Sequence, residues 1–301
     1  MHTASGSEIW HWQQWAKEQL RPLESEFRSD LEAELVWLLQ EVAGLERLAL
    51  RLETYRTQKE IVLERSLASL TQLWKQRLQQ RQPLQQLLGL APWRHFVLQV
   101  TPDVLIPRPE TELLIDLAIT ATRDHEILQR GHWADLGTGS GAIALGLAMA
   151  FPQAQVHAVD WSREAVAIAT QNTQTLHLQN RIQFYQGSWL APLDSLEDQL
   201  SGIISNPPYI PSTMVPELQP EVAWHEPHLA LDGGEDGLDA LRHIIAEAPQ
   251  YLCSGGILLL EMMAGQDQLV NDLLHQQAQY CDIQIHSDFA GIARFAQAYR
   301  Q

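Results

Sequence analysis

Two short stretches carry residue types at a spacing suited to chemistry. Asn206-Pro207-Pro208-Tyr209 follows the apolar run Gly202-Ile203-Ile204-Ser205, which reads as a buried strand. Upstream, Asp135-Leu136-Gly137-Thr138-Gly139-Ser140-Gly141 also stands on the heels of an expected strand. An amide nitrogen is a poor nucleophile because its lone pair is shared with the carbonyl. Methylating it takes acceptors that hold both N–H groups and leave the lone pair facing the donor. The Asn206 side-chain oxygen suits one hydrogen and the Pro207 carbonyl the other. The rings of Pro207 and Pro208 fix the backbone, so these acceptors are preorganised. Tyr209 offers an aromatic face on which a planar group can stack.

The upstream stretch reads as a cofactor loop. Gly137, Gly139 and Gly141 permit a tight strand-to-helix turn and close backbone approach, with Thr138 and Ser140 between them. NAD proteins use a similar loop, but two carboxylates favour S-adenosylmethionine. Asp135, immediately before the loop, is placed for a cationic amino-acid group and would repel a pyrophosphate. Asp160, at the end of the next expected strand, suits the two ribose hydroxyls. After the strand that follows, Ser188 and Trp189 suit the edge and face of an adenine. The residues thus point to methyl transfer from S-adenosylmethionine, with S-adenosylhomocysteine as product, onto a planar nitrogen. They leave open whether that nitrogen belongs to an amide or a nucleobase.

These residues need elements to position them. Expected strands at 133–135, 155–160, 182–185, 202–205, 256–261, 282–286 and 293–299 alternate with helical segments. That order argues for an α/β fold with a parallel sheet and helices on both faces, ligands lying at the carboxyl ends of the strands. Residues 1–85 read as an all-helical bundle. Asp30 is placed to cap a segment carrying Leu31, Leu35, Leu38 and Leu39, and Gly44 to close it. A short second helix carries Leu45 to Leu52, and a long third is expected over 57–80. Residues 86–108 read as a hairpin linker: strand 96–100, a turn at Thr101-Pro102-Asp103, and 104–106 pairing back. Pro109 suits the first turn of the next helix.

The chain has 301 residues, 45% of them apolar, and a formal net charge of −17. That charge is lopsided. Residues 1–85 hold 11 basic and 12 acidic side chains, and the remainder 9 basic and 25 acidic. Such a field repels a phosphate backbone, so nucleic acid is a poor direct partner. Cys253 and Cys281 form neither a metal pattern nor a disulfide framework, and Pro227 breaks helical spacing in His225-Glu226-Pro227-His228, so no metal is expected. No leader and no membrane span are expected, and the reading is of a cytoplasmic monomer.

The Asn-Pro-Pro-Tyr, the glycine loop and Ile106-Pro107-Arg108-Pro109-Glu110-Thr111-Glu112 together resemble the HemK/PrmC family of release factor glutamine methyltransferases. Glu226-Pro227, Ala230-Leu231, Gly233-Gly234 and Asp236-Gly237-Leu238 match a further family stretch, as do Gly255-Gly256 with Leu258 and Glu261, and then Asp288, Gly291 and Arg294. The resemblance covers roughly residues 83–301. It implies a Rossmann-like methyltransferase domain at 109–301 that methylates the glutamine amide in the Gly-Gly-Gln loop of class-1 peptide chain release factors. It carries the cofactor role to 137–141, Asp160 and Trp189, and the substrate role to Asn206, Pro207 and Tyr209. Residues 1–85 inherit a substrate-docking role by position, and Arg108 and Glu110 a bracing role at the entrance. Gln86, Trp93 and Ser188 depart from the usual Tyr, Phe and acidic residue. An adenine-specific nucleic-acid methyltransferase would use the same tetrapeptide, and a ribosomal-protein glutamine methyltransferase is a related alternative. The acidic second part, and the absence of an inserted target-reading domain, weigh against the first.

Overall fold

The computed structural model describes residues 2–301 and divides into two compact units, Met1–Leu88 and Gly89–Gln301. In the first, β1 (His2–Ala4) leads into α1 (Gly6–Leu20). A capping box starts α1: the Glu8 N–H donates to the Ser5 hydroxyl and the Ser5 N–H to the Glu8 carboxylate. Then come α2 (Ser25–Ala43), α3 (Arg47–Leu52), β2 (Ile61–Leu63), α4 (Leu67–Gln79) and α5 (Leu84–Leu88).

Gly44 closes α2 in the left-handed conformation at φ 60°, as expected. Asp30 caps nothing, because α2 begins five residues earlier with Glu24 at its N-cap. The expected long helix over 57–80 is also shorter. Ile61 and Leu63 are buried while Val62 is exposed, a period-two pattern, and β2 pairs antiparallel with β1. The unit is therefore not all-helical. Its core holds Leu31, Leu35, Leu38 and Leu39 with Trp12, Tyr55 and Trp74.

The second unit opens with β3 (Leu90–Trp93) paired antiparallel to β4 (Phe96–Gln99). The hairpin partner of β4 thus lies before it, and residues 104–106 form no strand. Val104 and Ile106 instead bury their side chains in a small cluster with Ala91, Val100 and Ala165. Trp93, Phe96 and Leu98 sit in the main core, so the hairpin is integral to this unit. Next is α6 (Glu112–Ala121), with Thr111 at its N-cap, so Pro109 lies before the first turn.

The alternation then runs α7 (Glu126–Arg130), β5 (His132–Leu136), α8 (Ala142–Ala150), β6 (Gln155–Asp160), α9 (Arg163–Thr175), β7 (Ile182–Gln186) and β8 (Leu200–Ser205). It continues through α10 (Pro220–Ala223), α11 (Asp239–Tyr251), β9 (Leu252–Glu261), α12 (Asp267–Gln276), β10 (Tyr280–Ser287) and β11 (Ala293–Arg300). Seven of these strands form one sheet in the order β10-β11-β9-β8-β5-β6-β7. Its pairs are parallel except the two made by β11, which inserts antiparallel between β9 and β10. This is a Rossmann-like, doubly wound sheet with one antiparallel strand inserted near its edge. Apolar clusters pack both faces, which is why the central strands are continuous apolar runs.

Strand order reverses between β5 and β8, the switch point at which open α/β sheets bind ligands. Register brings Leu136 beside Ser205 and Ser205 beside Leu260. Gly137, Asn206 and Glu261 therefore emerge at one edge. Gly202 is required within β8, since a Cβ there would lie 2.2 Å from the Trp133 ring.

Candidate active site

Two adjoining cavities open at that edge. The larger, of about 400 Å³, is walled by Gly137, Gly139, Asp160, Trp161, Ser188 and Trp189 among others. The smaller, of about 190 Å³, includes Arg108, Pro207, Tyr209, Leu218 and Val222. Asn206, Leu105 and Ala230 line both. The first volume falls in the range for a small-molecule ligand; the second suits a single inserted side chain.

The glycine loop turns with φ of 74°, 54° and 86° at Gly137, Gly139 and Gly141. At Gly141 a Cβ would also press to 3.1 Å from that of Ala169. Asp160 anchors the loop from the next strand. Its Oδ2 accepts the Gly139 N–H at 2.8 Å and its Oδ1 the Ser162 N–H at 2.9 Å. Burial pushes its carboxyl up, while the backbone N–H groups pull it back down. Each oxygen keeps a lone pair for a ligand hydroxyl. Ser162 caps α9 by accepting the Ala165 N–H, so Asp160 is left for the cavity. Trp189, at φ 45°, packs its ring over Gly137. These walls fit S-adenosylmethionine: bare glycine backbone, a carboxylate, and two indoles. Trp161, to which the sequence reading gave no role, is 64% exposed and lines the same wall. Its position directly after Asp160 was the available signal.

Asp135 is not at the cavity wall, where a contact to a cationic ligand group was expected. It is fully buried behind the loop, where Oδ2 accepts the Thr138 hydroxyl at 2.6 Å and the Ala144 N–H at 3.0 Å. Burial pushes its carboxyl up to about 7, and Oδ1 has no partner. Thr138 and Ser140 are buried with it, and the Ser140 carbonyl accepts the Asn172 amide. Asp135, Thr138, Ser140 and Gly141 thus shape the loop from beneath.

On the acceptor side, Asn206 points its amide nitrogen inward, donating to the Thr111 hydroxyl at 3.1 Å. Thr111 donates onward to Glu261 Oε2 at 2.7 Å, and the Tyr209 hydroxyl donates to Glu261 Oε1 at 3.2 Å. Burial pushes Glu261 up to about 7 and raises Tyr209 well above its usual value. Thr111 and Glu261 were legible only as motif letters, with no role attached. Arg108 crosses to Glu226, Nη2 to Oε1 at 2.6 Å, joining the segment before α6 to the loop after the tetrapeptide. Burial raises the Glu226 carboxyl and Arg108 opposes this. The Trp93 indole N–H donates to the Arg108 carbonyl at 3.0 Å, fixing that segment from below. Glu110, expected to brace beside Arg108, is exposed and outside both walls.

Residues 111–218 match the family described as the methyltransferase small domain. A release factor glutamine methyltransferase of Synechocystis sp. is 51% identical over 269 residues, spanning 88% of this chain and 89% of that protein. One of the same name from Thermosynechococcus vestitus is 46% identical over 291 residues, 97% of this chain and 98% of that one. Among solved structures, a methyltransferase from Pyrococcus furiosus aligns with a TM-score of 0.46 at 14% identity, covering 67% of this chain and 87% of that chain.

Proposed function

Since the chain belongs to the release factor glutamine methyltransferases, we propose that the residues around Asn206 carry methyl transfer from S-adenosylmethionine to the glutamine of a Gly-Gly-Gln motif in class-1 peptide chain release factors. One observation carries the reading: Asn206 lines the ligand-sized cavity and the side-chain-sized one together. A group inserted in the second meets a cofactor in the first at that residue.

The bound donor supplies an electrophilic methyl on a sulfonium. Asn206 Oδ1 and the Pro207 carbonyl take the two amide N–H groups, which turns the nitrogen lone pair toward the first cavity. Tyr209 supplies the face against which the amide plane lies. Orientation of this kind makes a poor nucleophile effective. The amide nitrogen would gain the methyl as the methyl–sulfur bond breaks, S-adenosylhomocysteine being the product, and the now acidic N–H would then lose its proton to solvent water. Asp160 holds the ribose hydroxyls, and Trp189 with Ser188 the adenine. The first unit serves as the docking element for the release factor, and the reaction belongs in the cytoplasm. Among the described residues no helix is long and apolar enough to cross a membrane.

The test uses labelled S-adenosylmethionine with a release factor, its Gln→Ala variant in the Gly-Gly-Gln motif, a ribosomal-protein fraction, and mixed DNA and RNA. Label on the release factor glutamine, absent in the variant and with Asn206→Ala enzyme, supports the reading. Label on nucleic acid alone moves the chain to adenine methylation, and label on ribosomal protein alone to that substrate.

A further inference from the structure

Thr111 occupies the N-cap of α6, the position where a threonine hydroxyl ordinarily accepts a helix N–H. Here the side chain makes no cap bond. The residue is 4% exposed, and its hydroxyl is turned toward β8 and β9 instead. A hydroxyl has a single proton. With the Glu261 carboxylate ionised, that proton goes to Oε2 at 2.7 Å, and toward Asn206 the oxygen then accepts. The Asn206 amide therefore presents its nitrogen to Thr111, and its oxygen Oδ1 is left for the acceptor cavity. Glu261 is itself 2% exposed and fixed on its other oxygen by Tyr209.

We infer that Thr111, oriented by Glu261, is the positioning residue that sets which way the Asn206 carboxamide faces, and through it the preference for an amide acceptor over a carboxylate. The inference rests on the acceptor-site reading above. With Oδ1 outward the cavity offers a hydrogen-bond acceptor, which suits an N–H donor. A carboxylate in its place would set oxygen against oxygen. Were the carboxamide turned over, its NH₂ would face the cavity, which suits a carboxylate and repels an amide N–H. The two orientations have nearly the same shape, so only the partner behind Asn206 distinguishes them. Discrimination of this kind depends on a buried polar group that the wrong substrate leaves unpaired.

The experiment compares wild type with Thr111→Val, which keeps the shape and removes the hydroxyl, and with Thr111→Ser, which keeps the hydroxyl. Thr111→Ala is the alternative deletion should the valine variant fail to fold. Each enzyme is assayed for kcat and KM on the release factor. Competition by a release factor carrying Glu in place of the acceptor Gln is measured in parallel. We expect Thr111→Val to lose kcat by about 100-fold, with KM for S-adenosylmethionine within about twofold. Preference for the Gln over the Glu release factor should narrow by about tenfold, as expected for roughly 1.4 kcal/mol of lost discrimination. Thr111→Ser should restore both. A rate loss with the Gln/Glu preference unchanged, or failure of serine to restore it, overturns the inference. So does a valine variant that behaves as wild type. Wild-type enzyme inert toward release factor would instead overturn the substrate reading.

Discussion

Asn206 is the residue on which both cavities converge, and its replacement separates chemistry from binding. Asn206→Ala should lose at least about 100-fold in kcat, while affinity for S-adenosylmethionine, measured calorimetrically, stays within about tenfold. Asp160→Ala should do the opposite. It removes the anchor of Gly139 along with the ribose contact, so cofactor affinity should weaken roughly 10- to 100-fold. An unchanged dissociation constant would dismiss Asp160 as a ligand. Glu261 makes a prediction about pH. Burial moves its carboxyl from an ordinary 4.5 up to about 7. Between those values the folded protein holds a proton that the unfolded chain has released. The stability contributed by this group therefore declines as pH rises from about 4.5 toward 7 and is flat above. Glu261→Gln should accordingly gain stability relative to wild type between about pH 5 and pH 8, on the order of 1 to 3 kcal/mol. Denaturant unfolding at the two pH values checks it, and a difference that shrinks with rising pH would contradict it.

Among the elements, β8 depends on the missing side chain at Gly202, against which the Trp133 ring of β5 lies. Gly202→Ala should lower the melting temperature by several degrees through overpacking at the junction that carries Asn206. The central strands of the large sheet were legible because strands buried on both faces are largely apolar, and its edge strands because turn residues punctuate them. Direction and neighbours were not. Nothing in the alternation of residues 293–300 announces that β11 runs against its neighbours and lies between β9 and β10. Val104 and Ile106 look like strand residues, but their apolar side chains serve a small cluster while Leu90–Trp93 takes the pairing. At 61–63, helical and strand readings of Ile61 and Leu63 compete, and the register with β1 decides. The walls of the site were visible in the loop and the tetrapeptide. The Thr111–Glu261 pair was not, because 150 residues separate its members and only the sheet brings them together.

At the scale of the whole molecule, each unit has cores of its own: one cluster spans residues 4–84, and three others lie between 91 and 298. Residues 89–301 expressed alone should therefore unfold cooperatively and bind S-adenosylmethionine, while methylating a release factor more slowly than the full chain. Equal rates would remove the docking role from the first unit. The acidic balance of the second part predicts no salt-dependent retention on DNA, which a binding titration checks. The antiparallel insertion of β11 has one more consequence, in time rather than space. The ladder that pairs β9 from Ile257 to Glu261 is supplied by residues 295–299, which follow it in the chain. Until that segment reaches the sheet, the strand bearing Glu261 ends in an unpaired edge. The acceptor wall is therefore completed only when β11 has folded back onto the sheet, and a chain caught before that step offers the strand bearing Glu261 as an edge for another chain to pair with.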